Sequence, residues 1–158
     1  MLETCVLKTE GYSILLEFLQ LRPSAQDMLI RSTLILDPLL GDVSYTSTQS
    51  WILASDVESL VSYFEEHMRL LKEDNNHVSH TFVDLDLHFQ IQAFVGDISA
   101  DNIGEFSLQF MLNVGRSGEG HTYTYLGCES VVAVQDVTAF IDSIRAVLAK
   151  YQDFQSEG

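Results

Sequence analysis

FVDLDLHFQIQAFV, residues 82–95, is the segment from which the architecture is easiest to predict. Its odd-numbered residues from Val83 to Val95 are apolar, whereas most of the even-numbered residues are polar or charged. Strict alternation of this kind is typical of a strand with one buried and one solvated face, as in an antiparallel sheet. Residues 106–114 repeat the pattern after a turn at 97–104. We therefore expect two neighbouring antiparallel strands, with the odd-numbered side chains of the first strand buried.

Further strands are predicted on both sides of this segment, at residues 5–8, 12–21, 28–37, 43–53 and 121–133. Ser55 and Glu58 form a capping-box pattern that predicts a helix near residues 56–71, and a second helical apolar pattern covers residues 136–151. Strands grouped apart from helices favour an α+β fold. We expect one domain over residues 1–158, without internal repeats. It should contain an antiparallel meander sheet of about six strands, with two amphipathic helices packed on one face.

The chain is strongly acidic, with 23 Asp and Glu against 8 Lys and Arg and a net charge of −15. A phosphate backbone would be repelled by such a surface, so we expect no nucleic-acid binding. The first residues lack the features of a signal peptide, and the longest apolar segments are broken by Glu17 and Arg31. We therefore expect a cytoplasmic protein that does not bind membranes. Its two cysteines, Cys5 and Cys128, are expected to be reduced.

Asp84, Asp86 and His88 share one side of the predicted strand and are the first candidate site residues. They could form a metal or acid–base site, or they could be the solvated face of a sheet that is available to a partner. We favour the second interpretation, because no second group of ligands can be assigned to a neighbouring strand. Glu65 and Glu66 on the first helix are the other candidate partner-binding residues. They lie in one of two long stretches without Lys or Arg.

Other motifs do not fit the chemistry that they suggest. The turn at residues 97–104 has oxygen-bearing side chains like a calcium loop, but Asn102 stands where that loop needs glycine. The glycine-rich segment at residues 115–120 precedes a predicted strand, whereas a phosphate-binding loop precedes a helix. The cysteines and histidines lack zinc-ligand spacing. We therefore predict no metal site, no cofactor and no catalytic residues.

The order of elements resembles that of bacterial immunity proteins of the WapI-associated type. The resemblance covers most of the chain and is carried by Ser50-Trp51-Ile52, the helix at 56–71, the run Val83-Asp84-Leu85-Asp86-Leu87 and the helix segment 140–151. It implies a non-enzymatic inhibitor that binds and neutralises a cognate toxin. It supplies no catalytic residues.

Three functional hypotheses follow. The first is a cytoplasmic binding protein, such as an immunity-type inhibitor, whose acidic face engages a basic protein. The second is a small-ligand-binding or catalytic α+β domain with a pocket between sheet and helices. The third is a structural subunit of a larger assembly. Neither the identity of a partner nor the oligomeric state follows from the sequence.

Overall fold

A computed structural model describes residues 3–115 and 123–156 of the chain. Residues 116–122 lie outside this part, and with them most of the predicted loop at 115–120 and the predicted strand start at His121. The described elements, in chain order, are β1 (Glu3–Lys8), β2 (Tyr12–Arg22), β3 (Asp27–Leu36), β4 (Ser44–Thr46), β5 (Ser50–Leu53), α1 (Ala54–Glu73), β6 (Phe82–Val83), β7 (Phe89–Ile98), β8 (Gly104–Asn113), β9 (Tyr125–Ala133) and α2 (Val134–Ser156).

The fold is mixed α+β with antiparallel pairing, as predicted, but its strands form two sheets. The first sheet has the order β1-β2-β3-β4, and β5 also pairs with β3; the second has the order β6-β7-β8-β9. The predicted strand at 43–53 is divided into β4 and β5, which pair with different parts of β3. Nine described strands in two sheets therefore replace the single meander of about six.

Both helices bury the apolar stripes that their spacing predicts. In α2 all seven predicted apolar positions are buried, and α1 buries the same kind of stripe with Met68 only partly covered. The helices contact each other through Phe64 and Phe140, whose ring centroids lie 6.2 Å apart at 90°. The predicted capping box is wrong. Helix α1 begins after Leu53, without a side-chain hydrogen bond to its cap, and Ser55 lies inside its first turn.

The two halves of the chain share one ββββα plan, which the sequence analysis missed. Strands β1-β2-β3-β5 followed by α1 correspond to β6-β7-β8-β9 followed by α2. The strand pairs β2–β3 and β7–β8 each carry a bulge with one extra residue. The first bulge directly follows Phe18, which lies opposite Ile30, and the second follows Ala93, which lies opposite Leu108. In both halves the last strand runs directly into its helix. Residues of the two halves can be matched by counting from the bulges or by counting from the first residues of the two helices. Both counts give the same pairs of corresponding residues.

The halves are interleaved rather than separate. Helix α1 packs against β7 of the second half, and α2 packs against β1 of the first half. The hydroxyl of Tyr12 on β2 donates a hydrogen bond of 2.7 Å to the carbonyl oxygen of Leu108 on β8. One continuous core results, to which both sheets and both helices contribute.

The segment 82–95 is not the single strand that its alternation predicts. Strand β6 ends at Val83, a turn covers residues 84–88, and β7 begins at Phe89. Within β7 the predicted burial of Phe89, Ile91 and Ala93 is confirmed, and the bulge then exposes Val95. In the turn the prediction is wrong, because Asp84 is buried whereas Leu85 is 71% exposed.

Candidate functional site

The turn at residues 84–88 is organised around the carboxylate of Asp84. Its Oδ1 accepts hydrogen bonds from the backbone N–H groups of His88, at 2.8 Å, and Phe89, at 3.3 Å. Its Oδ2 lies 2.5 Å from His88 Nδ1. Leu87, inside the turn, has φ = 60°, a left-handed conformation that is rare and costly for a bulky residue. The buried carboxylate thus holds a strained backbone in one shape.

Asp84 occupies a position that the fold normally fills with an apolar side chain. Ile91 and Leu16 correspond, because each lies two residues before the residue that the bulge of its strand directly follows. Phe82 lies opposite Ile91, and Cys5 lies opposite Leu16, so Phe82 corresponds to Cys5. Asp84 therefore corresponds to Leu7 of the first half. Leu7 is fully buried, and Asp84 is 1% exposed. A buried carboxylate is strongly destabilising unless it is paired and hydrogen-bonded. Departures from the rules of burial are concentrated at functional sites, which makes this turn the leading candidate.

Asp84 and His88 form an oriented acid–imidazole pair. The Asp84 side chain is inaccessible to solvent, whereas that of His88 retains 14% exposure. An ionised carboxylate can only accept, so it selects the tautomer in which Nδ1 of His88 carries the proton. In the neutral ring the other nitrogen, Nε2, is then a hydrogen-bond acceptor, whereas in the protonated ring both nitrogens are donors.

A polar pocket of about 110 Å³ adjoins this pair. It lies where the break between β4 and β5 meets the turn of the second half, and it is lined by Ser47, Thr48, Ser50, Asp86, Leu87, His88, Asn113 and Gly115. Asn113 supports the turn: its Nδ2 donates to the carbonyl of Leu87 at 3.0 Å, and its backbone N–H donates to that of His88 at 2.9 Å. We name this cavity, with its eight lining residues, the seam pocket.

The first turn of α1 meets the same region of the surface. The backbone N–H of Leu85 donates to Oδ2 of Asp56 at 3.0 Å. Asp56, on the helix, thus contacts the backbone of Leu85, and Asp86 follows Leu85 in the turn. An exposed apolar side chain whose backbone is fixed and adjoins two acids is suited to contact a partner that is both basic and apolar.

The structure does not bring all five predicted site residues together. Asp86 and His88 line the seam pocket, and Asp84 is buried behind them, so the expectation of one solvated face is wrong for Asp84. Glu65 forms an ion pair with Arg145 of α2, and Glu66 pairs with Arg69 at 2.8 Å. Ten residues separate Asp56 from Glu66, about 15 Å along a helix. Glu65 and Glu66 therefore lie apart from the turn.

A second buried polar cluster was not predicted from the sequence. The Nδ1 of His67 lies 2.8 Å from the hydroxyl oxygen of Ser79, and Nε2 of His77 lies 3.3 Å from the same oxygen. Burial, followed by the nearby His77 imidazole, lowers the pKa of His67 from 6.5 to about 4. His67 corresponds to Val147 of α2 when both helices are counted from their first residues. Only that correspondence could have identified it in advance.

The described residues add two findings on the predicted metal and membrane properties. Within residues 3–115 and 123–156, no three His, Cys, Asp or Glu side chains are grouped so as to hold a metal ion. In the same ranges, neither helix combines the length and apolar composition needed to cross a membrane.

No protein-family model matches this chain, and no curated protein sequence is significantly similar to it. The resemblance to WapI-type immunity proteins therefore stays a prediction, and the functional argument depends on the geometry and charge of the chain itself.

Proposed function

We propose that this protein is a non-enzymatic binding protein that engages a basic protein partner through its acidic surface, at the turn of residues 84–88. The observation that supports the proposal is the unequal use of charge within the fold. Among residues 3–115 and 123–156, most basic side chains are occupied by internal ion pairs, whereas many exposed carboxylates form no ion pair.

Five basic side chains of the described chain are held in ion pairs with carboxylates: Arg22, Arg31, Arg69, Arg145 and Lys150. The Glu17–Arg31 pair shows that such contacts stabilise the charged carboxylate, because the guanidinium lowers the pKa of the Glu17 carboxyl. Within the described ranges, a further set of exposed carboxylates forms no ion pair: Glu10, Asp42, Glu58, Asp86, Asp97, Asp101, Glu105 and Glu129. A surface of this kind attracts a basic partner and accelerates its encounter.

The 84–88 turn is the part of this surface best suited to dock. Its backbone is fixed by Asp84 before any partner arrives, which lowers the entropic cost of binding. Leu85 offers exposed apolar area, and Asp56, which accepts from the Leu85 N–H, and Asp86, the next residue in the turn, offer charge. Occlusion of the partner by such a contact is the mechanism of an immunity-type inhibitor, and a toxin of basic character in the cytoplasm would be a suitable target.

The proposal is tested by capturing binding proteins from the native host on the full-length chain and identifying them by mass spectrometry. The association rate of each isolated partner is then measured at increasing salt concentration. We expect a basic partner whose association slows as salt rises, because screening weakens steering between exposed charges. Partners that are acidic, or rates that do not depend on salt, would contradict the proposal.

A matched pair of variants locates the contact. Asp86→Asn should slow association and weaken binding, whereas Asp101→Asn should have little effect. Both residues are exposed aspartates in turns, but they flank opposite ends of β7, whose ten residues span about 33 Å. Equal effects of the two variants would show that net charge, rather than the turn, determines binding.

A second candidate function is binding of a small ligand in the seam pocket. It is favoured by the Asp84–His88 pair, because an imidazole oriented by a carboxylate is a common general base. Native mass spectrometry of the protein purified from its host distinguishes the two candidates. A small molecule retained at one equivalent, and lost in His88→Ala, would support the second candidate.

A further inference from the structure

We propose that the seam pocket is the receptor site for a single cationic side chain of the partner, and that its chemistry selects the guanidinium group of arginine. This inference rests on the proposed function and specifies the part of the basic partner that is recognised.

The hydrogen-bond donors around the pocket are largely used within the protein. The hydroxyl of Ser47 donates to the carbonyl of Thr48, and its oxygen accepts from the backbone N–H of Ser32. Asn113 donates from Nδ2 to Leu87 and accepts from the N–H of Gly115 at 2.9 Å. His88 directs both its backbone N–H and its Nδ1 to Asp84. These groups cannot easily serve an anionic ligand.

The hydrogen-bonding capacity that remains in the seam pocket is mainly that of acceptors. The exposed carboxylate of Asp86 brings a full negative charge, and Nε2 of His88 is a further acceptor whenever the imidazole is neutral. Thr48, between β4 and β5, and Ser50, the first residue of β5, also line the pocket, and their hydroxyl groups can accept as well as donate. A cavity lined by several acceptors and the negative charge of Asp86 fits a cation with several donors.

Size and shape favour guanidinium over ammonium. A cavity of about 110 Å³ is large enough to admit the four heavy atoms of a guanidinium group. Guanidinium offers five N–H donors in one plane, which can serve several acceptors together, whereas ammonium is a compact point charge. Asp84 is a positioning residue in this scheme, because it acts on the ligand only through His88.

The test is a titration of the isotope-labelled full chain, followed by the amide resonances in NMR. The probe is N-acetyl-arginine methylamide, and the control is the citrulline analogue, which has nearly the same shape but no charge. We expect saturable shifts at residues 47–50, 84–88 and 113 with the arginine probe and much smaller shifts with citrulline. Asp86→Asn should weaken binding by about tenfold, because a charge-assisted hydrogen bond is lost, whereas Asp101→Asn should leave it unchanged.

Each outcome separates this inference from the proposed function. Equal shifts with both probes would overturn the inference, since the pocket would not recognise charge. Absence of shifts at these residues up to tens of millimolar probe would also overturn it, and salt-dependent binding of a basic partner would then leave the proposed function intact. Saturable, charge-dependent shifts that Asp86→Asn removes would support the inference even before a partner is identified.

Discussion

The hydroxyl of Tyr12, on the second strand of the first sheet, donates a buried hydrogen bond of 2.7 Å to the carbonyl oxygen of Leu108 in the second sheet. Burial raises the pKa of Tyr12, so the hydroxyl stays protonated and serves as a donor throughout the physiological range. We expect Tyr12→Phe to lower the free energy of unfolding by about 1–2 kcal/mol, because a buried acceptor loses its partner. Urea denaturation measures the loss. Tyr45→Phe, at a partly buried tyrosine, is the control, and an equal loss there would contradict the assignment.

Replacing Asp84 should separate its role as a hydrogen-bond acceptor in the turn from the role of its charge. Asp84→Leu restores the residue type of Leu7 but leaves the N–H groups of His88 and Phe89 without acceptors in a buried turn. We expect it to lower the free energy of unfolding by about 2–4 kcal/mol, and Asp84→Asn, which keeps a carbonyl acceptor, to cost less than Asp84→Leu. Denaturation of the two variants under one set of conditions gives the comparison. If Asp84→Leu were as stable as the native chain, the turn would not depend on the carboxylate.

His67 should make the protein sensitive to acid. Because the pKa of His67 is about 4 in the folded chain against 6.5 in an exposed histidine, the unfolded chain takes up this proton first. The stability linked to His67 is therefore complete above pH 6.5 and is lost as pH falls towards 4, by up to about 3 kcal/mol.

Thermal unfolding across that pH range tests this expectation. His67→Val, which introduces the residue type of Val147, should flatten the pH dependence of stability. His80→Gln, at an exposed histidine, should leave it as it is. A native chain and a His67→Val variant that lose stability in parallel on acidification would show that other groups are responsible.

The interleaved halves should not fold alone. Helix α1 packs on β7 and α2 on β1, so a chain cut between residues 76 and 77 leaves each helix without its principal sheet. We expect fragments 1–76 and 77–158 to show no cooperative unfolding separately and to recover it when mixed, since each buries its apolar surface only against the other. Calorimetry of each fragment and of the mixture measures this. A cooperative transition in isolated fragment 1–76 would contradict it.

The sequence predicted those elements whose apolar period is long and regular. Helix α2 repeats its pattern over four turns, and every expected apolar position is buried, because few other structures satisfy that spacing. The α+β class followed from the same signals. The prediction of one strand over residues 82–95 was wrong for a physical reason. The alternation of Val83, Leu85 and Leu87 is equally compatible with a turn whose backbone is hydrogen-bonded by a buried aspartate.

The candidate site was only partly predictable. Asp86 and His88 were identified from their polarity, but Asp84 was expected to be exposed, since a carboxylate among alternating residues is normally solvated. The seam pocket could not be foreseen, because it joins the 47–50 break to a turn far along the chain. The shared plan of the halves was also hidden, since it lies in strand register and bulges. Few identical residues, such as the Asp-Val pairs at 56–57 and 136–137, mark it in the sequence.

The common plan of the halves offers an internal reference that most single chains lack. Three buried polar residues, Ser32, His67 and Asp84, stand where the opposite half has Phe110, Val147 and Leu7. At each of these positions a polar side chain replaces apolar packing. The corresponding residue of the other half shows that the fold accepts a hydrocarbon side chain there. Such a comparison acts like a built-in mutational experiment. It distinguishes polar residues that both halves have at corresponding positions from polar residues present in only one half, and it directs attention to the second kind.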